Sequence, residues 1–441
     1  MRCVVFAWSW LVLAGCAGWS NWAGNERCQP KRIARPATLA ELRDVVRTSA
    51  HLRVAGAGHS WSKLVCTDEV LVDTRSLTRL LSVDEGARRI RVEAGMRLKD
   101  LDQLVAQHGL ALATEPTISE ITVGGAIATA SHGTGLAHGA FSEEVVALDV
   151  IDGAGQLVTL DSPDDLRAAR VGLGTLGVIY SITFRLVPAF NLEIYERVVD
   201  EKQAFEGIEQ RVADNQHVDM FWFVTEHKVF LRTYHRTDAP IHVTHPARDP
   251  IEEWVVRTWI GQFGLATVGK IPGIKKLLNK VEPSLFPDQT TTDRSDHVFH
   301  RFPGHQKVYS MEYLVPIERT HDALQAIKDS LAATKFYPNM PPYLRFVGGA
   351  GDGDLSPLRG RSSCAIEVLS YTGFKGWEQF FRDLEPRFLA LGGRPHWGKL
   401  FFANPRALYD AAAWANVERL RARLDPHHKL ANELTRTLFT P

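Results

Sequence analysis

The stretch RVAGAGHSWS at residues 53–62 constrains this chain more than any other. It reads as a strand running into a glycine turn, with His59 directly after the second glycine. Gly56 and Gly58 let backbone N–H groups crowd around a phosphate where a Cβ would obstruct. A nucleophilic ring nitrogen then stands at the end of that turn. A lone G-x-G is a weak signal, because turns produce it often and a hydrogen-bonded histidine in a plain loop would look the same. Its meaning depends on the rest of the chain.

At 441 residues the chain is too long for one compact core, so two domains are expected. Lys+Arg and Asp+Glu are both 51, which leaves no net field to draw nucleic acid or anionic lipid. Small-molecule chemistry suits this balance better. Residues 4–15 are apolar apart from Ser9, follow Arg2, and end in Leu-Ala-Gly before Cys16. That pattern resembles a bacterial lipoprotein signal, predicting cleavage, a lipid anchor at Cys16 and a place in the cell envelope. The alternative is an unprocessed start on a cytoplasmic or membrane-associated protein. With Cys3 and Cys16 consumed, Cys28, Cys66 and Cys364 remain. Their odd number and irregular spacing predict neither a disulfide framework nor a metal site. The 17 histidines show no ligand spacing either, and His427-His428 reads as a helix-end feature.

Along the chain, 38–50 and 98–108 read as amphipathic helices, and strands are expected at 70–74, on either side of a turn at 84–87, at 146–151 and at 156–160. A small-residue segment, TVGGAIATASHGTG, fills 122–135, and 172–187 closes this half with a glycine-rich turn and a strand. Pro188 marks a boundary. Beyond it come strands near 221–224, 228–234, 308–315, 343–348 and 364–371, and helices near 249–263, 319–334 and 377–391. Helices and strands without regular alternation argue for an α+β fold. The first turn also lacks the full G-x-G-x-x-G, and no acidic residue suited to a ribose follows about twenty residues on, which disfavours NAD.

Seven blocks, spread over the whole chain after residue 20, resemble one family of flavoproteins. They are NWAGN at 21–25, the turn with His59, GAIATASHGTG at 125–135, LGTLGV at 173–178, MEY at 311–313, RPHWGK at 394–399 and LDP at 424–426. The family is the vanillyl-alcohol-oxidase or PCMH type, in its sugar-1,4-lactone oxidase and alditol oxidase branch. The resemblance implies a two-subdomain FAD-binding domain over 21–190 after a signal-like 1–20. An α+β cap for the substrate follows over 191–393, and a segment at 394–441 returns to the flavin.

By the same resemblance His59 carries FAD through a covalent bond. Ala55, Gly56, Ala57, Gly58, Ser60 and Trp61 would line the pyrophosphate turn. Ala130, Ser131, Gly135 and Gly139 would pass close to the isoalloxazine, Gly177 and Val178 would meet the adenosine end, and His396 would approach from the substrate side. Lys399 and Arg345 match the substrate-site cations, with Glu312 an acceptor for a substrate hydroxyl. Tyr343 stands where relatives place a glutamate and Glu367 where alditol oxidases place a histidine, so the polar pattern facing the substrate is altered. The implied activity is oxidation of a D-arabinono-1,4-lactone-like sugar lactone or a polyol, with O2 as acceptor and H2O2 as product. Two alternatives remain: a dehydrogenase of the same fold serving a quinone or cytochrome, and a flavin-binding protein without turnover.

Overall fold

Helix Leu39–Thr48 begins where Thr38 accepts the backbone N–H of Glu41, and it buries Leu42, Val45 and Val46. That face covers a three-stranded parallel sheet in which Val70–Asp73 lies between Arg32–Ala34 and Leu52–Ala55. An antiparallel five-stranded sheet follows, in the order 157–160, 145–151, 178–185, 89–93 and 80–84. Helices Leu98–Gln107 and Pro163–Ala169 belong to this half. The second of these carries start signals that its sequence displays, namely a Ser162 cap, Pro163 in the first turn, and Asp164 and Asp165 beside it. The structure is a computed structural model that describes residues 18–243, 280, 282–286, 288–300, 307–349 and 353–440. Cys16 with its signal-like segment and the helix expected near 249–263 lie outside the described residues.

The second half is built on one eight-stranded antiparallel sheet, ordered 289–294, 191–200, 228–237, 217–223, 343–347, 363–371, 308–316 and 394–395. Period-two alternation sorts its side chains. Met311, Tyr313, Val315, Leu344, Phe346, Ile366 and Val368 pack with Ala323, Ile327, Phe381 and Phe388 from helices Thr320–Thr334 and Trp377–Ala390. Their neighbours face the other way, toward the first half. Among them Leu314, Val347 and Ala365 join the first half's core, while Glu312, Tyr343, Arg345 and Glu367 form a polar field on the same face.

After its two-residue strand in this sheet, the chain goes back to the first half. Helices Ala411–Leu424 and Glu433–Phe439 bury Trp414, Val417, Leu420, Leu438 and Phe439 in the core that holds Ile90, Leu148 and Ile182. The arrangement is α+β with two subdomains, as the sequence predicts. Among the described residues, no helix is long and apolar enough to cross a membrane.

One expectation is overturned. Cys28 and Cys66 form a disulfide with Cα atoms 5.7 Å apart, while Cys364 is free and buried. An odd count is compatible with one bonded pair and one core thiol, and linear spacing carried no sign that the 27–28 strand returns beside residue 66.

Candidate active site

Strand Leu52–Ala55 delivers the turn, and Gly58 completes it at φ +74°, a conformation that favours glycine. A Cβ at Gly56 would overlap the Thr122 hydroxyl, so the missing side chain admits Thr122. His59 follows, mostly buried, with Nδ1 making no hydrogen bond and the Trp22 ring stacked on it at 5.1 Å. Burial, then the Lys399 ammonium, push its pKa down to about 4, so the ring is neutral at pH 7 and keeps a lone pair. The next residues are tied to the tail. Trp61 N donates to the Gly398 carbonyl at 2.7 Å, Trp61 Nε1 to Val308 O at 2.6 Å, and Ser62 Oγ to Trp397 O at 2.7 Å.

That connection brings RPHWGK under the turn. Lys399 Nζ lies 4.2 Å from the Trp61 ring centre and donates to Glu367 Oε1 at 2.5 Å. Glu367 and Glu312 face each other directly across strands 363–371 and 308–316. Like charges so placed repel, and two cations offset the repulsion. Lys399 holds Glu367, while Arg345 Nη2 bonds Glu312 Oε1 at 2.5 Å and stands 3.8 Å from Glu367 Oε2. Burial would raise the Glu312 pKa, but Arg345, His132 and His396 together hold it well below the usual carboxylate range. Burial likewise works against Arg345, yet Glu312 keeps the guanidinium protonated.

Around this centre, His132 Nε2 is 3.3 Å from Glu312 Oε1 and His396 N donates to the Glu312 carbonyl at 3.0 Å. Burial pushes the His396 pKa down to about 3, and its Nδ1 accepts the Gly398 N–H at 3.0 Å, which leaves Nε2 as the protonated nitrogen. Tyr343 stacks on Phe221 at 4.4 Å, and Arg232 Nη2 donates to its hydroxyl at 3.4 Å. Burial and the nearby Asp219 raise the phenol's pKa, so Tyr343 is a neutral group where relatives were expected to have an anion.

Lys399, Arg345, Glu312, Glu367, His396, Tyr343 and Trp61 are thus gathered on one face, with His59 close enough for Lys399 to act on its pKa. Other expected residues make local contacts of their own. Gly135 has its N–H on the Phe346 carbonyl of the cap sheet at 2.6 Å, Gly139 packs on Glu143, and Val178 is buried in an apolar core with Ile151. Ala55 ends its strand with its carbonyl on Thr74 N, and Ala130 sits buried at φ +58° beside Ser131, whose carbonyl accepts Phe141 N at 2.8 Å. His132, Trp22 and Asn21 were not assigned from sequence, although all three lie in the quoted blocks. In each case the missing signal was proximity.

Among the described residues, two trios of potential ligands converge in space: His132, Glu312 and His396, and separately Asp102, Glu115 and His300. In the second, His300 Nε2 is 2.5 Å from Glu115 Oε2 and 3.1 Å from Asp102 Oδ2. Ligands separated by a tetrahedral ion would lie roughly 3.3 Å apart, given metal–ligand bonds of about 2.0–2.1 Å. The shorter spacings are those of shared protons.

A family model described as D-arabinono-1,4-lactone oxidase matches residues 182–438, and one described as an FAD binding domain matches residues 30–161. The chain belongs to this family of FAD-linked oxidoreductases. It is 33% identical over 434 residues to the L-gulono-1,4-lactone dehydrogenase of Mycobacterium tuberculosis, covering 96% of this chain and 99% of that one. It is 29% identical to the L-gulonolactone oxidase of Scyliorhinus torazame, covering 95% and 98%. A solved solvent-stable cholesterol oxidase superposes with a TM-score of 0.77 at 18% identity, over 96% of this chain and 97% of that one, and shows the same fold.

The residues present fit an FAD of this family. Buried polar atoms without partners occur among the residues that would hold it: Nδ1 of His59, the Thr122 hydroxyl beside the turn, and Oε2 of Glu312. Buried polar groups ordinarily find partners, and a bound group rich in acceptors and donors would supply them.

Proposed function

We propose that the chain oxidises a CH–OH group of a sugar 1,4-lactone of the D-arabinono type, or of a related polyol, with electrons passing through FAD to O2. The observation carrying this reading is the buried polar field: Arg345, Glu312 and Glu367 on one sheet face, met by Lys399 from the tail that is tied to the His59 turn. FAD, when bound, supplies the two-electron acceptor. The protein supplies position and field. Lys399 and Arg345 present fixed positive charge to the alkoxide that develops as hydride leaves. Glu312 orients Arg345 through one carboxylate oxygen, and its second oxygen is free to accept a substrate hydroxyl. Tyr343 offers a neutral hydroxyl, so it can order a sugar oxygen but cannot take its proton near neutral pH.

His59 is read as the site of a covalent bond to FAD, supported by its neutral ring and unpartnered Nδ1. A lipid anchor at Cys16 and a place in the cell envelope complete the proposal. The Cys28–Cys66 disulfide supports it, because such bonds persist mainly in oxidising compartments.

A second reading, a dehydrogenase serving a quinone or cytochrome, is favoured by the name of the mycobacterial relative. One experiment separates the two. Anaerobic enzyme is mixed with a panel of aldonolactones and alditols while flavin absorbance is followed, and air is then admitted. Bleaching with rapid recovery identifies the oxidase and its substrate, bleaching without recovery identifies the dehydrogenase, and no bleaching with any sugar refutes both.

A further inference from the structure

We infer that Trp22 and Asn21 are positioning residues for the His59 ring, and that the Cys28–Cys66 disulfide holds them there, so that the cofactor turn is completed only in the oxidised chain. The inference rests on the reading that His59 bonds FAD.

Strands Trp19–Ser20 and Arg27–Cys28 pair antiparallel, and the loop between them lies on the turn. Three carbonyls of the turn are held by that one loop: Trp22 N donates to Gly58 O at 2.8 Å, Asn21 Nδ2 to Ser60 O at 2.8 Å, and Asn25 Nδ2 to Trp61 O at 2.9 Å. Asn21 also shapes the loop itself, its Oδ1 accepting Gly24 N at 2.8 Å and Glu26 N at 3.1 Å. No hydrogen bond at Nδ1 fixes the plane of the His59 ring, so its orientation depends on the Trp22 ring stacked over it, 22° from parallel. Trp22 is braced in turn by the edge of Trp61 at 6.1 Å.

A hairpin with two residues in each strand is not stable by itself. The disulfide joins its base to the chain just after the turn, closing a ring that runs from Trp22 through Cys28 and Cys66 back to His59. Reduction would leave the clasp to its hydrogen bonds and to the packing of Trp22 and Ala23 against Trp61. The bond at issue joins a His59 ring nitrogen to the 8α carbon of the flavin. Each partner loses one hydrogen as a proton, and the two electrons released enter the flavin and leave through the enzyme's own acceptor.

The test uses full-length holoenzyme as wild type, Trp22→Ala, Trp22→Phe and the double variant Cys28→Ser/Cys66→Ser. Total flavin, flavin surviving acid precipitation and visible-region circular dichroism of the oxidised flavin are recorded. Misplacing a reacting group by about an ångström costs up to 10²-fold in rate, so the acid-stable fraction is expected to fall roughly tenfold in Trp22→Ala and in the double variant. Trp22→Phe, which keeps a stacking ring, is expected to restore it. An acid-stable fraction equal to wild type in both Trp22→Ala and the double variant would overturn the inference while leaving the His59 reading intact. If wild type itself holds no acid-stable flavin, the His59 reading fails. The dichroism then decides: bands altered by Trp22→Ala and restored by Trp22→Phe support the positioning role, and unaltered bands reject it.

Discussion

Lys399 has little freedom. Its ammonium lies over the Trp61 ring and is bonded to Glu367, and the backbone on either side is pinned by Lys399 N to His396 O at 3.0 Å and Leu400 N to Ser310 O at 2.9 Å. A cation fixed before the reaction needs no reorganisation when charge develops beside it, which is where preorganised groups gain their effect. Lys399→Met is therefore expected to lower kcat by about 10²–10³-fold with a much smaller change in KM, the loss typical of one such group. Steady-state kinetics on the best substrate of the panel checks this; a KM effect alone would make Lys399 a binding residue. The neighbouring imidazoles act on stability. His59 and His396 stay neutral down to about pH 4 and 3, whereas an unfolded histidine takes its proton near pH 6.5. Between those values the unfolded chain binds more protons, so stability falls as pH drops from about 6.5. His396→Gln should give a shallower decline in Tm over that window, and an unchanged slope would place the acid sensitivity elsewhere.

At the scale of elements, the two halves meet through a buried charge cluster as well as through apolar packing. His300, just past helix Ser295–Phe299 of the second half, bonds Asp102 on helix Leu98–Gln107 and Glu115 in the loop beyond it. Burial alone would lower the His300 pKa, but the Glu115 charge and the hydrogen bonds to both carboxylates push it up to about 10. Burial and the Glu115 charge raise Asp102 as well. Both shifts mean that the folded chain holds protons the unfolded chain has released. The His300 part of the stabilisation is complete below about pH 6.5 and is lost as pH rises through about 10, whereas the Asp102 part is complete only below the ordinary carboxylate pKa of about 3.9. Asp102→Asn should flatten the alkaline fall of Tm over that window; a wild-type profile level from pH 7 to 10 would reject the assignment. None of this was legible in the sequence, where the three residues are separated by up to 198 positions. The elements themselves were largely legible. Helices at 39–48, 98–107, 320–334 and 377–390 and the strands carrying Glu312, Arg345 and Glu367 announce themselves by apolar periodicity. Strand Asn191–Asp200 does not, because its inward positions include Glu196 beside Leu192 and Ile194. Helix Val123–Ala128 is hidden by its own glycines, which are poor helix formers.

Across the whole molecule, one side chain joins three distant stretches of chain. Arg53, buried on the strand that leads into the His59 turn, donates Nε to Leu64 O at 2.7 Å, Nη1 to Gly174 O at 2.9 Å and to Leu430 O, and Nη2 to Leu173 O at 3.0 Å. Leu173 and Gly174 belong to the glycine-rich turn before strand Val178–Arg185, and Leu430 to the tail that has come back from the cap. No carboxylate among the described residues bonds it directly. Burial first and Arg421 second lower its pKa to about 10, with Asp425 opposing, so it remains charged at neutral pH. Four carbonyls therefore satisfy a buried guanidinium, and the guanidinium satisfies them. An ammonium has three donors on a point and cannot span the same fan. Arg53→Lys would leave buried acceptors unmatched, at about 1–3 kcal/mol for each group left without a partner. The expected result is a Tm lowered by several degrees, together with protease cleavage near residue 430 that appears in the variant before it appears in wild type. The tail also carries Lys399 and His396, so loosening it is expected to impair flavin retention along with stability. A variant that melts early yet holds its flavin as tightly as wild type would show that the tail and the cofactor turn are coupled only through the 396–400 contacts.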